Sequence, residues 1–366
     1  MIKPRPHVAE IAPYALADLS VPQGVRAIEL AQNESPYPPS PRAIQAAAAA
    51  ATGARLYPDP DWRDLRAAIA ARHGLVPHAI LCGAGSMELI GALIRSYAGP
   101  GDTVLAPQHA YAFFQTATRL AGAAYVTAPE TDLTACPDAL LAAVTPQTRI
   151  VCLANPANPT GTWLAPDRVR QLRRELPGDV LLLLDEAYAE FAPQDGLFDL
   201  IERGDTVITR TFSKAYGLAG MRVGWAAALA SVADQVRKVL NPNNVNLPAQ
   251  AAASAAMADH AQMTDTVARL AALRDRFAGQ VRALGLTVPA SHANFVLIRF
   301  PDAVQAADAD RELRAQGIVL RAMGGHGLAD CLRATIGTED DMTAAANALA
   351  RWQQGCHRGY HLGEGQ

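Results

Sequence analysis

Lysine is scarce in this chain: of its 32 lysines and arginines, only Lys3, Lys214 and Lys238 are lysine. Lys3 lies near the start and Lys238 follows Arg237, and both read as solvated charge. Lys214 sits in Thr211-Phe212-Ser213-Lys214-Ala215-Tyr216-Gly217-Leu218-Ala219-Gly220-Met221-Arg222, just after the apolar run Val207-Ile208. Where charge alone is needed, this chain spells it arginine. A lysine kept here points to an amine used as a nucleophile, because ammonium can lose its proton and guanidinium cannot. Taken by itself, the stretch also reads as a surface lysine on a glycine-rich turn.

Three more segments end apolar runs in the same way. Gly83-Ala84-Gly85-Ser86-Met87-Glu88 offers small residues where backbone N–H groups can approach a phosphate at a helix start, although a plain tight turn fits as well. Asn155-Pro156-Ala157-Asn158-Pro159-Thr160-Gly161 is a rigid loop that can hold an amide side chain in a cleft. Asp185 ends the run Leu181–Leu184, with Tyr188 three residues on. A carboxylate at the end of a buried strand is costly without a cation. That cation is either an arginine or the protonated ring nitrogen of a cofactor. Thr211, Ser213 and Arg222 are candidate phosphate ligands beside Lys214. An amine, a strand-end carboxylate, a phenol, an amide and a phosphate cup are together what pyridoxal 5′-phosphate requires. Its aldehyde condenses with a lysine, and a carboxylate keeps its pyridinium protonated and electron-withdrawing.

The elements that must position these groups follow from hydrophobic patterning. Seven short apolar runs begin near Ile80, Thr103, Ala124, Arg149, Val180, Val207 and Val223, separated by helical stretches. Continuously apolar strands alternating with helices predict an α/β fold with a sheet covered on both faces, which binds ligands beyond the strand ends. One helical stretch is expected from Pro248 to Leu284. A smaller α+β unit follows, with strands at Asn294–Phe300 and Cys331–Ile336 and helices at Ala303–Gln316 and Glu339–Gln353. The expected division is an arm with part of the small domain (1–35), a large cofactor-binding domain (36–245), a connecting helix with the small domain (246–354), and a patternless tail (355–366).

Composition narrows the class. Half the residues are hydrophobic, 18% are charged and the net charge is −3 without a basic run, so no nucleic-acid partner is expected. The proline-rich, charged start is unlike a signal peptide, and no apolar run is long enough for a bilayer. Five scattered cysteines without metal-ligand spacing predict reduced thiols in the cytoplasm and no metal. A nicotinamide-binding G-x-G-x-x-G is ruled out because Glu88 occupies its last glycine position.

The order of these motifs resembles the fold-type I pyridoxal phosphate-dependent aminotransferases, and their spelling is most similar to the histidinol-phosphate aminotransferases. Leu56-Tyr57-Pro58-Asp59-Pro60, Gln32-Asn33-Glu34-Ser35-Pro36, Asn244-Val245-Asn246 and Leu332-Arg333-Ala334-Thr335-Ile336-Gly337-Thr338 extend the match from about residue 10 to 353. The resemblance implies the aminotransferase fold: a large domain with a mostly parallel seven-stranded sheet and a smaller α+β domain. It implies that Lys214 holds the cofactor as a Schiff base and moves the Cα proton. Asp185 would pair with the ring nitrogen, Tyr188 and Asn158 would hold the ring hydroxyl, and Tyr111 would stack on the ring. Gly85, Ser86, Met87, Thr211, Ser213 and Arg222 would hold the phosphate end. Tyr57 would reach the site of a neighbouring subunit in a homodimer. Arg333 would clamp a substrate carboxylate, with Arg321, Tyr14 and Asn33 also on the substrate.

The activity so implied is ping-pong transamination between an amino donor and a 2-oxo acid. It converts histidinol phosphate and 2-oxoglutarate to imidazole acetol phosphate and glutamate, in histidine biosynthesis. Two departures bear on the donor: the family's G-Y-G-L-P reads Gly325-His326-Gly327-Leu328-Ala329, and Ala322 replaces the proline after Arg321. An aromatic amino acid aminotransferase and a decarboxylase of a phosphorylated amino acid use nearly the same cofactor residues.

Overall fold

The computed structural model describes residues 2–12, 18–194 and 196–363. The expected strands form one seven-stranded sheet: β1 (Ile80–Gly83), β2 (Thr103–Pro107), β3 (Ala124–Ala128), β4 (Thr148–Ala154), β5 (Leu181–Asp185), β6 (Thr206–Thr211) and β7 (Gly224–Ala227). Their spatial order is β1-β7-β6-β5-β4-β2-β3. Only β7 runs antiparallel to its neighbours, and the remaining pairs are parallel. Every residue of β1, β5, β6 and β7 is buried, polar Arg210 and Asp185 included, as befits a sheet covered on both faces. The fold class expected from the sequence is borne out.

Helices carry the chain between strands and bring the strand ends to one side. The helix Ser86–Tyr97 starts directly after β1, with Gly85 at its N-cap at φ +84°. Glycine is required there by the left-handed backbone. Gly224 at the start of β7 is required by proximity, since a Cβ there would lie 2.5 Å from the Ser86 amide nitrogen. The alanine-rich helix Pro41–Ala51 packs on the helix Leu247–Ala258, where small buried residues such as Ala43, Ala47, Ala249 and Ala253 permit close approach.

A second sheet holds β8 (Phe295–Arg299), β9 (Arg321–Ala322) and β10 (Cys331–Thr335) in the antiparallel order β8-β10-β9. The chain start is tied into this part: Ile28–Glu29 pairs in parallel with Ile318–Val319, and the Thr335 amide donates to the Leu30 carbonyl at 2.9 Å. These ladders deliver Gln32 and Asn33 to the end of the large sheet.

Two helical expectations change. The stretch from Pro248 to Leu284 is two helices, Leu247–Ala258 and His260–Ala283, broken at Asp259. There the backbone leaves helical geometry (φ −100°, ψ 55°) and the carboxylate accepts the Ser40 hydroxyl, a tertiary contact that periodicity does not reveal. The last helix runs Glu339–Gly363 and so extends through most of the segment expected to lack pattern.

Candidate active site

A cleft of about 840 Å³ opens where β4, β5 and β6 end. Ser86, Met87, Tyr111, Asn158, Asp185, Tyr188, Thr211, Ser213, Lys214 and Arg222 all line it, and Asn33, Arg321, Arg333 and His326 close its other side. Residues up to three hundred positions apart thus meet in one concavity. Gly85 stands behind the lining, Tyr57 is exposed outside it, and Tyr14 lies outside the described residues.

Asp185 ends β5 and is buried. Its Oδ1 accepts the Thr209 hydroxyl at 2.8 Å and the carboxylate also accepts the Ala187 amide. No arginine pairs with it among the described residues; the nearby buried guanidinium, Arg210, binds Glu186 instead, at 2.8 and 3.0 Å. Burial therefore pushes the Asp185 carboxyl up to about 6, opposed by the Thr209 hydrogen bond and reinforced by the charge of Glu186. Lys214 lowers it a little, but with no arginine paired to it this buried carboxylate is poised for a cation that arrives from the cleft.

Lys214 follows β6 and is half-buried. Its Nζ donates to the Asn33 carbonyl at 2.9 Å and lies 5.9 Å from the Tyr188 ring centre. Burial first, and then the guanidinium of Arg333, push this amine down to about 8, with Arg222 acting in the same direction. An amine with lowered basicity is what a lysine nucleophile or proton carrier requires. The carbonyls of Gln32 and Asn33 that receive it were not foreseen, because nothing in a local pattern says where a distant backbone will lie.

At the other end of the cleft, the Thr211 hydroxyl donates to Ser213 Oγ at 3.0 Å and Arg222 Nη1 approaches the same oxygen at 3.5 Å. Gly85 lets Arg222 in: a Cβ there would lie 2.6 Å from Nη2. Two hydroxyls, a guanidinium and the amino end of the helix Ser86–Tyr97 converge as an anion cup. Its loop is held by Glu88, whose Oε2 accepts the Ala84 amide and Asn244 Nδ2, each at 2.7 Å. Asn244 stood in the sequence only as part of a matching triplet, and its bracing function appears only in three dimensions.

The two asparagines of the doubled Asn-Pro loop separate in function. Asn155 closes the loop on itself through the Leu164 amide and carbonyl, at 2.8 and 3.0 Å. Asn158 faces the cleft and accepts Arg333 Nη1 at 2.5 Å. Arg333 also donates to the Ala31 carbonyl at 3.1 Å and stands over the Phe295 ring. Tyr188 accepts Asn33 Nδ2 at 2.9 Å, which links a cofactor-side phenol to a residue expected on the substrate. Tyr111 both starts its helix and lines the cleft, packing edge-on against Phe114.

A family model described as aminotransferase class I and II matches residues 25–349. This chain belongs to that family. It is 47% identical over 352 residues to a histidinol-phosphate aminotransferase of Paramagnetospirillum magneticum, covering 94% of this chain and 97% of that one. A histidinol-phosphate aminotransferase of Rhodospirillum centenum is 44% identical, with 96% and 99% covered. The crystal structure of histidinol-phosphate aminotransferase from Sinorhizobium meliloti, in complex with pyridoxal-5′-phosphate, superposes with a TM-score of 0.90 at 31% identity, over 96% of this chain and 97% of that one. Among the described residues, this aminotransferase has no cluster of side chains able to hold a metal and no helix long and apolar enough to cross a membrane.

Proposed function

We propose that this aminotransferase moves the amino group of histidinol phosphate to 2-oxoglutarate, as a step of histidine biosynthesis, with pyridoxal 5′-phosphate as its resident cofactor. The observation that carries the reading is the joint placement of Lys214 and a buried Asp185 that no arginine pairs among the described residues, in one cleft ending in an anion cup. The donor set fits the cofactor: Asp185 suits a protonated ring nitrogen, Lys214 an aldehyde, and Thr211, Ser213, Arg222 and the Gly85-Ser86 turn a phosphate. The substrate assignment is supported by the names of the relatives and by two cleft arginines suited to anions.

When bound, the cofactor supplies an electron sink for the bond at the donor's Cα. Lys214 Nζ tethers it and, with its basicity lowered, takes and returns the Cα proton. Asp185 would stay ionised to pair with a protonated ring nitrogen, and Thr209 keeps that carboxylate oriented. Tyr188 and Asn158 would hold the ring's polar edge, and Tyr111 would cover its face. Arg333 receives the acceptor's carboxylate and Arg321 a distal anion, the phosphate of the donor. Tyr57, exposed on its own chain, completes the cup of a neighbouring subunit in a homodimer.

The purified protein is expected to be yellow, and borohydride is expected to fix the cofactor on Lys214. A colourless protein that takes up no pyridoxal phosphate defeats the cofactor assignment. A panel of amino donors with 2-oxoglutarate tests the substrate. Faster turnover of phenylalanine than of histidinol phosphate, or release of CO₂ in place of a 2-oxo acid, defeats the substrate assignment.

A further inference from the structure

The antiparallel register of β9 and β10 sets Arg321 directly opposite Arg333. Directly opposed residues share one face of a sheet, so both arginines leave it on the same side, and like charges in that relation repel. Asn158 Oδ1 and the Ala31 carbonyl offset part of the Arg333 charge with dipoles, but an anion between the pair offsets more. The loop that joins these strands carries Gly324-Gly325-His326-Gly327, and Gly325 and His326 line the cleft together with both arginines.

That loop is fastened from the large sheet's side. His109 Nδ1 donates to the His326 carbonyl at 3.0 Å, while the His109 amide donates to Glu130 Oε1 at 3.1 Å. Gly327, with φ +73°, passes close to the His109 ring, where a Cβ would make only ordinary contact. The groups acting on the imidazole are Arg321 and Arg333 from the paired strands and His109 from the facing loop, behind which stands Glu130. Burial and the two guanidiniums push it down to about 4, so the side chain is neutral in the unliganded cleft. A neutral imidazole adds a hydrogen-bond donor beside two cations without adding a third repelling charge.

We propose that His326 is a specificity-determining residue that donates to the distal anion of a phosphorylated amino donor, and that His109 is the positioning residue holding its loop. This rests on the substrate class proposed above and assigns its recognition to a histidine where the resembling family spells tyrosine.

The test uses the holoenzyme with wild-type, His326→Phe and His326→Tyr chains, each assayed with histidinol phosphate and with phenylalanine. Losing one hydrogen bond to a charged group is expected to lower kcat/KM for histidinol phosphate about 10- to 100-fold in His326→Phe. The loss for phenylalanine is expected to be at least about tenfold smaller, and His326→Tyr, which again offers an O–H, to recover most of the difference. His326→Ala replaces the phenylalanine variant if that ring disturbs folding. A readout free of turnover is the rise in holoenzyme melting temperature caused by inorganic phosphate, expected to be smaller in His326→Phe. His109→Phe should shift the same donor ratio in the same direction by less.

Equal losses for both donors, or none for histidinol phosphate, overturn the assignment of His326 and leave the substrate reading standing. A wild-type enzyme that turns over phenylalanine and ignores histidinol phosphate overturns both.

Discussion

Asp185 and Lys214 have their proton affinities moved in opposite directions by the same burial, and each shift has a measurable consequence. The Asp185 carboxyl, raised to about 6, is protonated below that pH and charged above it. A cationic ring nitrogen binds only the charged form, so affinity for pyridoxal phosphate is expected to fall as pH drops through about 6. Asp185→Asn should abolish that dependence, bind the cofactor more weakly at neutral pH, and lose about 100-fold in kcat. Equilibrium titration of the apoprotein by absorbance, at several pH values, checks the first two, and an unchanged pH profile in the variant removes the role. Lys214, lowered to about 8, keeps about a tenth of its amine neutral at pH 7. Lys214→Arg retains charge and loses the removable proton. It is expected to give no borohydride-fixed adduct and to lose at least about a thousandfold in turnover.

At the level of elements, the site depends on how closely β7 approaches the first turn of the helix Ser86–Tyr97. A methyl group at Gly224 would press on the Ser86 amide, the Gly85 carbonyl carbon and the Arg210 carbonyl oxygen, all within 3 Å and all backbone. Backbone cannot rotate away as a side chain can, so Gly224→Ala is expected to cost about 1–3 kcal/mol in folding stability. It should also weaken cofactor binding by displacing the Gly85-Ser86 turn proposed to hold the phosphate. Denaturant melts with and without pyridoxal phosphate measure both effects. A variant with unaltered stability and affinity would show that this contact does not position the turn. The reverse face of the same strands is organised by Arg210, whose guanidinium binds Glu186 and stacks over Phe198 and Trp225. Glu186 takes this arginine, so alternation along adjacent strands leaves the Asp185 carboxylate for the cleft.

For the whole molecule, the exposure of Tyr57 matters most. Tyr57 is 86% exposed and lies outside the cleft of its own chain, an unusual placement for a large aromatic unless another surface covers it. If it completes the cup of a neighbouring subunit, a mixed dimer of Tyr57→Ala and Lys214→Ala chains collects both defects in one site and leaves the other site intact. Random remixing of the two inactive variants should then restore up to about a quarter of wild-type activity, since half of the dimers carry one intact site. No recovery on remixing, with mixed dimers demonstrated, would remove Tyr57 from the shared site.

Much of this protein was decided locally. The seven strands and the positions of Gly85, Asn158, Asp185 and Lys214 at strand ends follow from short-range pattern, whereas the edge strand β3 is largely exposed despite its apolar spelling. An unbroken apolar run has one low-energy use in an α/β sheet, and a polar residue at its end must find a partner there or face a cleft. What the local pattern could not decide are the pairings between distant segments. The backbone carbonyl that meets Lys214 Nζ, the bracing of Glu88 by Asn244, the opposition of Arg321 to Arg333 and the break at Asp259 each depend on register or on contacts 150 residues or more away, apart from the arginine pair, which depends on strand register. Periodicity reports which face of an element is buried, but the partner buried against it is chosen by the free energy of the whole packed chain.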